Sequence, residues 1–246
     1  MKKSNLILLT AFIIIIITMV IMMVFLRSNL KKEYHLGNGD ITENYIAVDD
    51  FEKIKIRGNY KVFFTQDSII ELKVITDSNL HEYIRTEIKR GELIIESSEP
   101  VLSKEDIRVE LSNASINSID VSGSARFHTT DRLYLTELKV VANAGARVEI
   151  EGFFERLSAI QNAGSRIFLK GESEVLELES NAGGSINAFD MEAGSANAAA
   201  TAGANIDVNA KELNASASAG GSVTYMGNPV IVGINTSAGG RIRSRN

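Results

Sequence analysis

From about Ile46 onward, apolar and polar residues alternate along the chain. This period of two is typical of a strand with one buried and one exposed face. Ile54 and Ile56 begin the pattern, and Leu72 and Val74 continue it. Residues 46–116 are therefore predicted to form lead-in strands, with a short helical segment near residues 80–84.

A repeated segment dominates residues 117–246, and its successive copies are separated by 21, 19, 19, 20, 17 and 19 residues. A nearly fixed period of this length predicts a solenoid, and alternation within each copy indicates strands. We therefore predict an all-β protein, a β-solenoid (single-chain β-helix) with coils of about 19–20 residues. RGNYKV at 57–62 fits the same template and is predicted to form a divergent first coil. The seven copies are SGSARF (122–127), NAGARV (143–148), NAGSRI (162–167), NAGGSI (181–186), TAGANI (201–206), SAGGSV (218–223) and SAGGRI (237–242).

The small residues of each copy are expected to form a sharp corner between two strands. Glycines such as Gly145 can adopt positive φ without strain. The preceding alanines, such as Ala144, are expected to fit inside the bend because they are small. Asn143, Asn162 and Asn181 are expected to stack and to exchange amide hydrogen bonds from coil to coil.

The chain begins with an uncharged apolar segment, Leu6–Leu26, of 21 residues. A helix of that length covers the hydrocarbon layer of a bilayer, so residues 1–27 are predicted to be a transmembrane signal anchor. A cleaved signal peptide is the alternative, but its apolar region is usually shorter and ends in a small-residue cleavage site. Residues 28–45 are polar and are predicted to form a stalk that leads to the solenoid at 46–246.

The positive charges on the two sides of the apolar segment are nearly equal in number, so they give little preference for one orientation of the anchor. Lys2 and Lys3 precede the apolar segment, and Arg27, Lys31 and Lys32 follow it. We expect a single-pass protein of the inner (cytoplasmic) membrane with its C-terminal domain on the extracytoplasmic side. The inverted arrangement, with a cytoplasmic domain, is the alternative.

Composition excludes several kinds of chemistry. The chain contains no cysteine, so disulfides, thiolate metal sites and a cysteine nucleophile are absent. The net charge is −5, which is opposite to the basic balance of nucleic-acid-binding domains. No motif indicates a cofactor or a metal, and we expect neither.

The corners, together with FEKIKIRGNYKVFFTQD (51–67) and SNLHEYIRTEIKRGELIIES (78–97), resemble a bacterial family. This is the auto-transporter adhesin head GIN domain family, formerly a domain of unknown function. The resemblance covers residues 46–244 and implies a β-helix presented by the cell envelope. It implies no catalytic residues. The corners here read N-A-G more often than the S-G-S of the family.

Arg126, Arg147 and Arg166 occupy the same place in three successive repeats. If they stack, the guanidinium groups form a short column suited to an acidic glycan or a phosphate. The alternative is a solvated outer face. The adjacent Phe153 and Phe154 cannot both face the core of one strand, so one of them is a candidate for a contact patch or a loop staple.

Three functions are compatible with these features. We favour a membrane-anchored, non-catalytic adhesin-like module that binds a glycan or an envelope protein. The second is a structural spacer that self-associates through its last coil, where Arg241, Arg243 and Arg245 alternate at the open edge. The third is a polysaccharide-active enzyme that would use paired carboxylates. Its candidates are Glu149, Glu151, Glu172, Glu174, Glu177 and Glu179.

Overall fold

The computed structural model describes residues 12–23, 25 and 34–245. Residues 36–245 form one compact all-β unit, a β-solenoid of about seven turns. Strands account for 65% of the residues, far above the usual share, because nearly every residue of each coil lies on a sheet. The predicted fold class of this unit is therefore confirmed.

Nineteen strands and one short 3₁₀ helix at His81–Tyr83 make up the described part of this unit. The strands are β1 (His35–Leu36), β2 (Ile41–Tyr45), β3 (Lys53–Gly58), β4 (Tyr60–Gln66), β5 (Glu71–Asp77), β6 (Ile84–Lys89), β7 (Glu92–Ser97), β8 (Val101–Leu102), β9 (Ile107–Asn113), β10 (Ser118–Gly123), β11 (Arg126–Thr129), β12 (Leu133–Asn143), β13 (Arg147–Gln161), β14 (Arg166–Asn181), β15 (Ser185–Thr201), β16 (Asn205–Ala217), β17 (Ser222–Met226), β18 (Val230–Thr236) and β19 (Arg241–Arg245).

Each coil lies parallel to the next and in the register that the repeats predict. Phe127 lies beside Val148, Val148 beside Ile167, and Ile167 beside Ile186. The divergent first coil is also present, because β4 pairs in parallel with β11 and brings Val62 beside Phe127. Adjacent coils are therefore separated by about 4.8 Å, the spacing between hydrogen-bonded strands. The inward apolar residues stack into one continuous buried core.

Six of the seven corners are turns with two successive left-handed residues, whereas the first corner has only Gly123 at positive φ. Ala144 has φ of 52° and Gly145 has φ of 83°, and the N–H of Ala146 donates to the carbonyl of Asn143 at 3.2 Å. These are features of a type I′ turn. The glycines adopt positive φ as predicted, but the prediction for the alanines was wrong. Ala144 is exposed at the tip, and the next residue but one, Ala146, fills the inside of the bend.

The asparagine ladder predicted at the corners is confirmed. Asn162 donates from Nδ2 to Asn143 Oδ1 at 3.0 Å, and Asn181 donates to Asn162 Oδ1 at 3.3 Å. Backbone bonds between tips accompany it, because the N–H of Gly145 donates to the carbonyl of Ala163 in the next coil at 3.2 Å. Corner and sheet therefore stack with the same period.

Part of the predicted stalk belongs to the folded unit, which corrects the boundary at residue 45. β2 pairs antiparallel with β5, and the N–H of Gly37 donates to the carbonyl of Leu102 at 3.0 Å. The buried carboxylate of Asp77 accepts hydrogen bonds from the Gly39 N–H at 2.6 Å and from the Ser103 hydroxyl. The non-local partners of this segment are what attach it to the sheet.

The N-terminal helix comprises residues 12–23 and 25 of the described chain. Among the residues that the structure describes, no helix is long and apolar enough to cross a membrane. Residues 6–11, 24 and 26 of the predicted Leu6–Leu26 anchor, and residues 28–33 of the predicted stalk, lie outside the described residues.

Candidate functional site

A row of five basic side chains crosses consecutive coils on the outer surface of the solenoid. Lys61 lies beside Arg108 on one side and beside Arg126 on the other. Arg126 then lies beside Arg147, and Arg147 beside Arg166. We call these five residues the basic column. The stacking predicted for Arg126, Arg147 and Arg166 is thus present, since the three pair in register on β11, β13 and β14.

Two phenylalanine rings lie next to the basic column, Phe63 on β4 and Phe168 on β14, each two residues beyond the basic residue of its strand. The guanidinium of Arg108 lies 4.5 Å from the centre of the Phe63 ring, and the Lys61 Nζ lies 5.5 Å from it. The guanidinium of Arg147 lies 4.4 Å from the Phe168 ring. These cation–π contacts hold the long side chains against the surface without neutralising their charge.

Carboxylates neutralise part of the basic column. Arg108 pairs with Glu110 at 2.6 Å, Arg126 with Asp106 at 3.1 Å, and Arg147 with Glu149 at 2.5 Å. Within the part of the chain that the structure describes, Lys61 and Arg166 have no ion pair. The column therefore keeps a net positive charge, and its two unpaired cations, Lys61 and Arg166, lie on either side of Arg126 and Arg147.

His128 and Glu149 lie beside the middle of the basic column. His128 stacks on Phe63, with 5.7 Å between ring centres, and its Nδ1 lies 3.1 Å from Glu149 Oε2. Burial of Glu149 opposes its ionisation, but the hydrogen bond from Arg147 and the adjacent His128 outweigh that effect. The pKa of Glu149 is consequently lower than its ordinary value, and the carboxylate is charged at neutral pH.

Neighbouring carboxylates are tied to other coils in the same way. Glu151 accepts from Arg132 Nε at 2.6 Å and pairs with Lys170 at 3.1 Å, so one carboxylate joins three coils. The hydrogen bonds from Arg132 and Lys170 lower the pKa of Glu151. Glu177 pairs with Arg156, and Glu179 accepts a hydrogen bond from Asn181. Four of the six glutamates considered for acid–base chemistry thus hold structural partners.

The Phe153–Phe154 pair divides between core and surface. Phe154 is buried at 5% exposure, whereas Phe153 faces outward and stacks on Tyr134 with 5.2 Å between ring centres. Tyr134 is 65% exposed, and its backbone is held on both sides by the amide of Gln66. Phe153 and Tyr134 thus form an outward aromatic pair that lines a shallow groove with Glu172 and Glu174.

Two members of the basic column, Lys61 and Arg108, were not predicted from the sequence. Lys61 stands in RGNYKV where Arg126 stands in SGSARF, so the repeat template already contained the signal. Arg108 carries no such signal, because β9 lies outside the repeats and reaches Lys61 only through the pairing of β4 with β9.

The fold agrees with several solved structures at low sequence identity. A "putative adhesin" from Bacteroides fragilis superposes with a TM-score of 0.76 at 20% identity, covering 85% of this chain and 99% of that chain. A "putative adhesin" from Parabacteroides merdae gives 0.72 at 21% identity, covering 87% and 100%. A "putative lipid binding protein" from Parabacteroides distasonis gives 0.71 at 20% identity, with the same coverage. At this identity the likeness establishes the fold alone.

A family model provides the stronger comparison. No curated protein is similar enough to the chain to count as a match. The family model described as "Putative auto-transporter adhesin, head GIN domain" matches residues 50–229, which is well over half of the chain. The matched region includes the lead-in strands, six of the seven corners and the whole basic column. The chain therefore belongs to the adhesin head GIN domain family.

Proposed function

We propose that this protein is a non-catalytic, adhesin-like module that binds an acidic glycan through its basic column. The observation that carries the proposal is the in-register stacking of Arg108, Lys61, Arg126, Arg147 and Arg166. A polymer with repeated anionic groups matches a row of cations that recurs on neighbouring strands at one end of the solenoid. Guanidinium groups suit this role because they bind carboxylate and sulfate oxygens through two parallel hydrogen bonds.

The aromatic rings beside the column support a sugar ligand more than a free anion. Phe63 and Phe168 each lie directly against a cation of the column, so one ligand that carries a sugar ring and an acidic substituent would contact both groups. Solved structures with the same fold carry the name adhesin, which agrees with a binding role at the cell envelope.

We further propose that the protein is held in the inner (cytoplasmic) membrane by a single N-terminal helix, with the solenoid on the extracytoplasmic side. The support is the uncharged Leu6–Leu26 segment, whose length suits a bilayer. An envelope location also agrees with the proposed binding of glycans.

The binding proposal is tested by removing the three arginines from the full chain in detergent micelles. Arg126→Ser, Arg147→Ser and Arg166→Ser together are expected to weaken binding to immobilised heparin or polygalacturonate about tenfold or more. The reason is the loss of three adjacent positive charges, so the dependence of the affinity on salt concentration should also become less steep. Surface plasmon resonance at several salt concentrations measures both effects.

A matched control removes the same charge elsewhere on the solenoid. Lys53→Ser, Lys139→Ser and Arg156→Ser replace three exposed cations outside the basic column. This variant should bind within about twofold of the unaltered chain. Equal weakening by both triple variants would mean that binding depends only on the net charge of the protein, which contradicts a specific site. Unchanged binding by the column variant, or no binding by the unaltered chain, would refute the acidic-glycan proposal.

The location is tested with a cysteine introduced into this cysteine-free chain. Thr136→Cys lies at an exposed position in the middle of the solenoid. A membrane-impermeant maleimide is expected to label it in spheroplasts before lysis, because the residue would lie outside the inner membrane. The unaltered chain provides the background. Labelling only after lysis would place the domain in the cytoplasm and contradict the proposed orientation.

A further inference from the structure

The two ends of the solenoid are built differently. At the first coil, β6 pairs antiparallel with β7, and β5 pairs antiparallel with β9, so antiparallel strands cover both sheets. At the last coil, β18 pairs in parallel with β16, and β19 with β17. Among the described strands none lies on their outer sides, so this end exposes unpaired backbone groups.

Apolar side chains surround this open end. Val230 is 66% exposed and Val232 is 67% exposed, and Ile231 and Ile234 are also exposed. Ile234 continues the inward row that contains the buried Ala215, and Ile242 continues the row of the buried Val223. The end of the hydrophobic core is thus accessible. Contiguous apolar surface of this kind marks an interaction site in most soluble domains.

The charge and polarity of the side chains at the last coil indicate which kind of surface covers this end. Residues 213–240 contain no charged residue, although charged residues make up 23% of the chain. Two of the three arginines of β19 turn back towards preceding coils: Arg243 Nε donates to Thr224 Oγ1 on β17 at 3.4 Å, and the Arg245 guanidinium lies 4.9 Å from the Phe189 ring on β15. The complement of the β18 edge is therefore another neutral, apolar strand edge.

We propose that the last coil docks against the last coil of a second copy of this chain, around a two-fold axis. The same end of a second copy supplies the required neutral, apolar edge. The opposite end does not, because its antiparallel strands already cover it, so the contact closes as a dimer and does not extend into a fibre. This inference rests on β18 and β19 and is independent of the proposed glycan site.

The register of β18 limits how the two copies interact. Leu213 lies beside Ile231 and Asn214 beside Gly233, so Val232 is an extra residue that bulges from the strand. A bulge interrupts a strand ladder, so we assign the attraction mainly to burial of apolar side chains. Salt should therefore maintain or strengthen the dimer, since it screens repulsion between the arginines of the two β19 strands.

The experiment uses disulfide cross-linking of the full chain, which contains no cysteine of its own. Val232→Cys lies near the proposed axis, and Thr136→Cys lies at an exposed position in the middle of the solenoid. Under mild oxidation in detergent micelles, Val232→Cys is expected to give at least fivefold more covalent dimer than Thr136→Cys. Adding Val230→Lys should reduce that yield at least fivefold, because it introduces a charge into the contact. Adding Asn59→Lys, at an exposed position in the first coil, should not.

Light scattering of the cysteine-free chain then gives the mass of the complex. A dimer that Val230→Lys dissociates and Asn59→Lys leaves intact supports the proposal. A monomer at all salt concentrations, a dimer that Val230→Lys does not dissociate, or cross-linking of Val232→Cys to a different protein in cells would each overturn it. Circular dichroism confirms that each variant remains folded, which is expected because Val230 is largely exposed.

Discussion

Replacing Gly171 with alanine is expected to lower the free energy of unfolding by about 4 kcal/mol, combining overpacking with backbone strain. Gly171 has φ of 114°, a conformation that residues with side chains rarely adopt. A Cβ built on it would lie 2.0 Å from the carbonyl oxygen of Gly152 in the preceding coil. Because the obstacle is backbone, the clash is relieved only by separating two coils whose strands are hydrogen-bonded.

Gly164→Ala is the matched control for this prediction. Gly164 also has positive φ, at 73°, but a Cβ there would meet no atom within 4 Å. Its cost should be limited to the backbone conformation, about 1 kcal/mol. Urea unfolding followed by circular dichroism on both variants separates the two contributions. Similar losses for Gly164→Ala and Gly171→Ala would show that the close approach of the coils at Gly152 is not significant for stability.

The repeat allowed the regular coils to be predicted because one physical requirement recurs at every corner. Each coil must turn sharply and then pair with the previous coil, so corner, inward residue and outward residue keep the same spacing. The stack from Phe127 to Ile186 and the asparagine ladder follow directly from that spacing. The place of Arg147 between Arg126 and Arg166 follows for the same reason.

The corner also shows a feature that the spacing of the repeats could not predict, namely the backbone conformation of each corner residue. The motif N-A-G-x does not reveal which residues adopt positive φ, and glycine is the usual choice because alanine costs about 1–2 kcal/mol there. In the structure both Ala144 and Gly145 are left-handed. The exposed tip accepts a methyl group, whereas the inward position of Ala146 must stay small. Bonds between successive tips, such as that from Gly145 to Ala163, offset part of the strain.

The lead-in strands could not be placed from the pattern because their partners are distant in sequence and partly antiparallel. β2 pairs with β5, and β9 lies between β4 and β5. Period-two alternation predicts that these residues form strands but contains no information about their neighbours. For this reason the sequence revealed three members of the basic column by their spacing and left out Arg108.

Gly184→Ala is expected to destabilise the protein by about 3 kcal/mol, because it displaces a buried side chain from its hydrogen bonds. Gly184 lies at the inward corner position that Ala146 and Ser165 hold in the preceding coils. A Cβ there would lie 1.7 Å from Nε2 of Gln161. That amide is fully buried, donates to Ser165 Oγ at 3.3 Å and accepts from Ser180 Oγ at 2.6 Å. Gly183→Ala, in open space at φ of 74°, should cost only about 1 kcal/mol.

A double-mutant cycle with Gln161→Ala tests this cause. Gln161→Ala alone should also destabilise the protein, because it leaves a void and removes one hydrogen bond from each of the buried Ser165 and Ser180 hydroxyl groups. In the double variant the new methyl group fills part of that void, and the corner resembles other coils, where Ala142 and Ala200 occupy the place of Gln161. The double variant should therefore lose at least about 1 kcal/mol less than the sum of the single losses. The Ser165 carbonyl oxygen, 2.5 Å from the new Cβ, should prevent full recovery. Additive losses would mean that the backbone at Ser165, and not the Gln161 amide, requires glycine at position 184.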